Sequence, residues 1–376
     1  VPAGAEIVEG AGRYVMPGLV DAHVHLEYFD DPALLRLFLA HGVTTVRNMD
    51  GRPQIVAWRD AIRERTLIGP RIVTAGPILD GAPPLLPDNL SIATPAAGRE
   101  AVAAQAALGY DFVKVYTNLA PDVYAAIVEE ARARGLRVAG HVPRAISVAT
   151  AAASQASIEH LADIGRWAEA DDSPYRGKFH WSKLVLAAPL DAQKVANVAD
   201  QLAAAGTHVV PTMVQVARSV ATEARLTQWL AEPEVAQLPV QFRDEWASRV
   251  RRASSRLEGE DWQIVERGVQ QRRDVVRALH DANVQLLVGT DTPNPFVVPG
   301  AAVQEELQHL VDAGLPIAAV LVAATRAPCE FLRLDCGVIA AGKRADLLIM
   351  DRNPLQSVAN VRPGAVMVGG RFFSRE

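Results

Sequence analysis

The sequence has little cysteine, with only Cys329 and Cys336 among its 376 residues. Two thiols cannot form a disulfide framework, and neither stands in a CxxC pair of the kind that binds structural zinc. A zinc site built from thiolates is therefore not expected.

Long apolar runs are also absent. The longest, 315–324, falls short of the roughly 18 residues that a membrane-spanning helix needs, and we expect it to form a buried helix. The first residues, VPAGAEIVEG, carry neither the charged nor the apolar segment of an export signal. Because no initiating Met precedes them, we expect the numbering to begin after a processed or trimmed segment. The compartment is not readable from the sequence.

The chain has no excess of positive charge. Its 38 basic residues stand against 43 acidic ones, giving a formal net charge of -5, and no Lys/Arg cluster stands out. A nucleic-acid or membrane partner is therefore not expected, and a small-molecule substrate is the better expectation. With 49% hydrophobic residues, the chain can bury one large core, and a single α/β barrel fits that size.

Short β-branched runs alternate with Ala-rich segments of helical length, which is typical of βα units that build a parallel sheet. Eight such runs are present, at 19–25, 43–48, 71–76, 112–116, 136–141, 157–160, 207–212 and 285–291. Their number predicts an α/β fold, a distorted (β/α)8 TIM-like barrel. Two longer stretches, 162–205 and 241–283, suggest an insertion over the barrel mouth and an extended helical region.

Both chain ends have a different texture, with short strands broken by Gly and Pro turns. We expect them to pair into a small β-sandwich beside the barrel. The predicted division is therefore 1–16 and 337–376 for the two parts of the β-sandwich, and 17–336 for the barrel.

The strongest local pattern is His23-Val-His25 at the end of the first run. Side chains two apart on a strand point to the same face, so both rings can bind one metal ion. An HxH pair alone is equally compatible with two structural histidines. However, His141, His160 and Asp291 also end predicted strands, and catalytic groups collect at the carboxyl ends of barrel strands. Together these five residues predict a metal site.

Lys114 lies inside the apolar strand FVKVY. A buried ammonium is costly unless it is paired or loses its proton, and a neutral amine can react with carbon dioxide to give a carbamate that bridges two divalent ions. The alternatives are a lysine that reaches the surface or one that is paired with an aspartate.

These residues resemble the amidohydrolase superfamily, and within it the imidazolonepropionase-like and prolidase-like branch. The resemblance covers nearly the whole chain and depends on VMPGLVDAHVHL, GVTTVRNM, GPRIVTAG, DFVKVY, VAGHVP, SIEHLADI, VPT, LLVGTDTP, ATRAPCEFLRL and GVIAAGKRADLLIMDRNPL. Two departures are the missing N-terminal strands before PGLVDAHVH and Asn48, where many relatives have Asp.

The resemblance implies a binuclear zinc centre with two Zn²⁺ per chain. Its ligands would be His23, His25 and Asp291 for the buried ion, His141 and His160 for the exposed ion, and carboxylated Lys114 as the bridge. It also suggests a homo-oligomer, without fixing the symmetry.

The expected activity is that of an amidase or dipeptidase, in which a metal-bridging hydroxide attacks an amide bond in a dipeptide-like or N-acyl amino acid substrate and Asp291 carries the proton. Hydrolysis of a cyclic amide with one ion, or of a lactone, ester or organophosphate, is the alternative. A non-catalytic binding barrel would have no use for the full ligand set. Tyr116 and Arg144 are the candidate substrate-binding residues, although Arg144 also fits a surface ion pair.

Overall fold

The computed structural model describes residues 7–10, 12–176 and 188–374. Its strands are β1 (Tyr14–Pro17), β2 (Leu19–Val24), β3 (Val43–Asn48), β4 (Arg71–Thr74), β5 (Leu79–Asp80), β6 (Leu90–Ser91), β7 (Phe112–Val115), β8 (Arg137–Gly140), β9 (Ser157–Glu159), β10 (His208–Val210), β11 (Leu347–Met350), β12 (Pro363–Val368) and β13 (Arg371–Ser374).

Its α-helices are α1 (Leu35–Ala40), α2 (Pro53–Arg63), α3 (Pro95–Ala107), α4 (Pro121–Ala133), α5 (Val148–Ser154), α6 (Ala162–Ala168), α7 (Ala192–Ala205), α8 (Met213–Ala217), α9 (Glu223–Leu230), α10 (Pro233–Ala236), α11 (Val240–Ser254), α12 (Asp261–Asp281), α13 (Ala302–Asp312), α14 (Ile317–Ala323) and α15 (Arg326–Phe331). Short 3-10 helices occupy Leu26–Tyr28, Pro32–Leu34 and Val358–Asn360.

Parallel strands close into a barrel, which confirms the predicted (β/α)8 fold. Strands β2, β3 and β4 form one sheet, β7 to β10 belong to a second, and a bridge between Ala75 and Phe112 joins them. The eighth run, 285–291, makes isolated bridges instead of a regular strand. It closes the barrel because Leu286 pairs with Val209 of β10 and the Val288 carbonyl accepts a hydrogen bond from the Ala22 amide of β2 at 2.8 Å.

The two chain ends form one antiparallel sheet of order β1-β11-β12-β13, as the sequence predicted. The sheet lies at the amino-terminal ends of the barrel strands. The Gly18 amide, just before β2, donates to the Asp346 carbonyl at 2.9 Å. Next to β3, Gly42 has φ of +84° and leaves no room for a Cβ beside Leu348. The division of the chain at 16 and 336 stays a prediction.

Barrel helices bury one apolar face each. In α4, Val123, Ile127 and Ala131 are buried at helical spacing, and Gly135, with φ of +71°, follows the helix end. The apolar run 315–324 contains the partly buried helix α14. In the described ranges, no helix combines the length and the apolar character that crossing a membrane requires.

A separate helical unit, residues 222–254, contains α9 to α11 and is called the helical cap below. Its core includes Trp229 and Trp246, whose rings lie 5.3 and 5.7 Å from that of Phe296 in the loop after Asp291. The predicted helical region 241–283 is confirmed by α11 and α12. The suggested insertion at 162–205 includes α6 and α7, whereas its residues 177–187 lie outside the described part.

Cys329 and Cys336 form a disulfide bond that joins α15 to the segment leading to β11. Both residues are buried beside Val20 of β2. The bond is a single link between close neighbours, in agreement with the absence of a disulfide framework.

Candidate metal centre

All six predicted ligands lie at or near the carboxyl ends of barrel strands. His23 and Lys114 are inside β2 and β7, whereas the others follow their strands directly: His25 after β2, His141 after β8, His160 after β9 and Asp291 at the end of 285–291. Because parallel strands end at the same rim, these side chains meet at the barrel mouth.

Ligand atoms of His23, His160 and Asp291 lie within 4.8 Å of one another. His25 joins them, since its Nε2 is 3.3 Å from Asp291 Oδ1. The ring of His141 lies 4.8 Å from that of His160, centroid to centroid. The structure therefore brings all five predicted imidazole and carboxylate ligands together.

These donors fit a divalent metal ion. His23 Nε2 is buried without a hydrogen-bond partner, which is costly for a polar atom unless a metal or water satisfies it. Burial holds the pKa values of His23 and His141 well below the usual range and lowers that of His160 to about 4. The three rings are thus neutral at pH 7, as metal ligands must be.

His25 and Asp291 differ from these rings electrostatically. Burial alone would lower the pKa of His25, but Glu27, whose Oε1 is 2.5 Å from His25 Nδ1, and Asp291 raise it to about 10. Burial acts to raise the pKa of Asp291, yet His23, His25 and His160 hold it below its usual range. Asp291 is therefore ionised at pH 7 beside His25.

Lys114 is 1% exposed and lies on β7 next to Ala139 of β8. Burial lowers its pKa to about 8, against the opposing effect of Glu159 and Asp291. A larger fraction of its amine is consequently neutral at pH 7 than in an exposed lysine, which is the form that a carbamate requires.

A buried charged network, not predicted from the sequence, supports His23. Glu159 Oε2 lies 2.7 Å from His23 Nδ1, and its Oε1 accepts from Arg47 Nη2 at 2.7 Å. Arg47 also donates to the Ala22 carbonyl at 2.6 Å and to Ser157 Oγ at 2.9 Å. With its Nδ1 bonded to Glu159, His23 has only Nε2 free for a metal.

Backbone strain concentrates at the same rim. His160, Asp291 and Thr212 have φ values of 65°, 64° and 48°, a region that residues other than glycine rarely adopt. Thr212 Oγ1 lies 2.6 Å from His160 Nδ1 and so orients that ring. Strained residues persist where the surrounding structure holds them, commonly at functional sites.

The two predicted substrate-binding residues lie on the His141 side of the mouth. The ring of Tyr116, 5% exposed, is 4.1 Å from that of His141, and burial raises the pKa of its phenol. Arg144 is exposed, and its backbone carbonyl accepts from Arg166 Nη1 at 2.6 Å. Their role in substrate binding stays a prediction.

Comparison with known proteins gives matches along the whole chain. In structure, bottromycin amidohydrolase is similar over 96% of this chain and 77% of its own, with 30% identity and a TM-score of 0.80. A Xaa-Pro dipeptidase with bound methionine in its active site covers 96% and 87%, with 20% identity and a TM-score of 0.66. The ochratoxinase of A. niger covers 96% and 83%, with 20% identity and a TM-score of 0.65.

Among curated proteins, adenine deaminase of Geobacillus kaustophilus is 47% identical over 45 residues, which is 11% of this chain and 8% of that protein. The sequence model of the amidohydrolase family matches residues 14–372. The chain therefore belongs to the amidohydrolase family.

Proposed function

We propose that this amidohydrolase uses two zinc ions to hydrolyse an amide bond in a dipeptide-like or N-acyl amino acid substrate. The observation that carries the proposal is the convergence of His23, His160 and Asp291 ligand atoms within 4.8 Å, beside a buried lysine. Such a donor set suits zinc.

Each ligand has a place in the proposed centre. The buried ion would be held by His23, His25 and Asp291, the exposed ion by His141 and His160, and carboxylated Lys114 would bridge them. When bound, two such ions lower the pKa of a water to near neutrality and polarise the substrate carbonyl.

Proton transfer is assigned to Asp291. Its Oδ1 lies beside both His23 and His25 at 3.4 and 3.3 Å, and it is ionised at pH 7 because its pKa lies below the usual range. It would take the proton of the attacking water and pass it to the leaving nitrogen, which then departs as an amine.

Substrate contact is assigned to Tyr116 and Arg144. The Tyr116 phenol, whose pKa burial raises further above neutrality, is protonated and can donate to a substrate oxygen. Arg144, exposed beyond His141, can bind a carboxylate. The name of the 30% identical relative, bottromycin amidohydrolase, supports an amide substrate over a lactone or ester.

The test combines metal analysis with a substrate panel. Protein loaded with zinc in bicarbonate should contain about two ions per chain and hydrolyse N-acyl amino acids or dipeptides. One ion per chain with activity on a cyclic amide would favour the imidazolonepropionase-like alternative, and activity on lactones alone would favour the ester alternative. No bound ion and an unmodified Lys114 would refute the proposal.

A further inference from the structure

Helix α8 begins without a side-chain cap from the residue that precedes it. Thr212 stands at this position, yet its side chain accepts no hydrogen bond from the helix. A threonine there usually accepts one from an amide of the first turn, as Thr94 does for α3 and Thr222 for α9. The first turn of α8 therefore depends on a partner from elsewhere in the chain.

The Thr212 hydroxyl contacts the candidate metal centre instead. Its Oγ1 lies 2.6 Å from His160 Nδ1, so the ring keeps only Nε2 for a metal. The His160 amide donates to the carbonyl of Val210, two residues before Thr212, at 2.8 Å. The connection from β10 to α8 thus holds both the backbone and the ring of this predicted ligand.

This arrangement of Thr212 strains its backbone. Its φ and ψ are both 48°, in the left-handed region that a β-branched residue rarely adopts. Strain of this kind persists only where the surrounding structure fixes the backbone. Contacts that hold the residues after Thr212 are therefore needed to keep its hydroxyl at His160.

Glu306 of α13 supplies such a contact. Its Oε2 accepts a hydrogen bond from the Val214 amide at 2.8 Å, which is one of the amides that a capping threonine would bind. The residue is 0% exposed, and its Oε1 has no hydrogen-bond partner among the described residues. A carboxyl group buried in this way is costly for folding, and the proposed mechanism does not use it.

We propose that Glu306 is a positioning residue for His160, and this rests on the proposed function. By binding the Val214 amide, Glu306 caps the first turn of α8 and leaves the Thr212 hydroxyl to orient the His160 ring. Its effect should therefore fall on the exposed ion, to which His160 is assigned, and spare the buried ion.

Zinc affinity, measured for each ion by competition with a chromogenic chelator, tests the inference. Glu306→Leu keeps a similar volume and removes the acceptor, so the exposed ion should bind about 10- to 100-fold more weakly while the buried ion binds as in wild type. Glu306→Gln retains an acceptor oxygen and should stay close to wild type. His141→Ala identifies the binding step that belongs to the exposed ion.

A second variant tests whether the effect passes through Thr212. Thr212→Val removes the hydroxyl and should weaken binding of the exposed ion to a similar degree. Because both changes act on one ring, the double variant should lose no more affinity than the more affected single variant. If Glu306→Leu does not fold, Glu306→Asp, whose carboxyl group is one methylene short, takes its place with the same expected selectivity.

Glu305 provides the matched control. It precedes Glu306 on α13 and contacts the other end of α8, where its Oε2 accepts from Arg218 Nη2 at 2.6 Å. Arg218 in turn donates to Glu232 of the helical cap at 2.8 Å. Glu305→Leu removes this contact without touching the Val214 amide and should leave both zinc affinities unchanged.

The outcomes separate this inference from the proposed function. If folded Glu306→Leu or Glu306→Asp keeps the wild-type affinity for the exposed ion, or loses both ions equally, the inference is wrong while the proposed function stands. Additive losses in the double variant would overturn it too. Wild-type protein that binds no zinc overturns both.

Discussion

His23 and His25 converge on the carboxylate of Asp291, from Nε2 to Oδ1 at 3.4 and 3.3 Å. Asp291→Asn keeps the shape and one ligand oxygen, but an amide cannot accept the proton of the attacking water. We expect kcat to fall about 100- to 10,000-fold with most of the metal retained. Kinetics and metal analysis on one sample check both, and undiminished hydrolysis would refute the role of Asp291 as proton carrier.

Glu159 is expected to control metal affinity through His23. In Glu159→Gln the charge that supports the His23 ring and neutralises Arg47 is lost, while the side-chain volume is kept. Loss of such a partner weakens metal binding about 10- to 100-fold, which competition with a chromogenic chelator measures. The control is Ser157→Ala, because Ser157 Oγ contacts Glu159 Oε1 at 2.6 Å but does not touch His23. Equal affinities in wild type and Glu159→Gln would contradict this.

Residues at the centre differed in how well they could be predicted. His23 and His25 are recognisable because their spacing alone puts them on one strand face. The pairing of Arg47 with Glu159 joins positions 112 apart, so neither local pattern contains it. The only sign of this ion pair in the sequence was a charged residue inside each of the apolar motifs VTTVRN and SIEH.

At the scale of elements, α13 is tied to α8 by a buried carboxyl group. Glu306 Oε2 accepts a hydrogen bond from the Val214 amide at 2.8 Å, whereas Oε1 has no partner. Burial raises the pKa of Glu306 to about 7, although His309 and Val214 act to lower it. This pKa lies above the unfolded value of 4.5. The carboxyl group therefore stabilises the folded state fully below about pH 4.5, and this stabilisation is lost as pH rises through about 7.

Glu306→Gln should therefore gain stability over wild type as pH increases. The difference in unfolding free energy between variant and wild type is expected to shift by about 2 kcal/mol in favour of the variant from pH 5 to pH 8. Denaturant unfolding at both values measures it. Glu305→Gln is the control, because interactions with His309 and Arg218 lower the pKa of Glu305 despite burial, so that loss of its charge should not stabilise the fold. A pH-independent difference for Glu306→Gln would contradict the prediction.

Elements with strong local patterns could be predicted, and those formed by long-range packing could not. Strand β3 was predicted at 43–48 with its observed ends because its alternation with helices is clear. The run 285–291 has strand composition, but its pairing is limited to isolated bridges, between Leu286 and Val209 of β10 and between Thr292, just after the run, and Val24 of β2. The two-residue strand β5 exists because Leu79 pairs with Val115, a contact outside any local window.

For the whole molecule, the proposed metal ligands connect distant parts of the barrel. The six proposed ligands come from β2, β7, the ends of β8 and β9, and 285–291. Metal bound only to the folded state adds about 4 kcal/mol at a concentration 1,000 times its Kd. Chelation should lower Tm, and added zinc should restore it. In His160→Ala, the difference in Tm with and without chelator should be smaller. Identical melting of the wild type with and without chelator would argue against a metal at this site.

The homo-oligomer suggested by the resemblance stays a prediction that sedimentation of the purified protein would check.

The terminal sheet has a practical consequence. It lies at the amino-terminal ends of β2 and β3, where Gly18 bonds to Asp346, whereas His25 and Asp291 open at the opposite end of the barrel. Anchoring the enzyme to a sensor chip or resin through β13 would thus leave the entrance facing the solution. Attachment through α11 would turn the same entrance toward the support and slow the arrival of substrate.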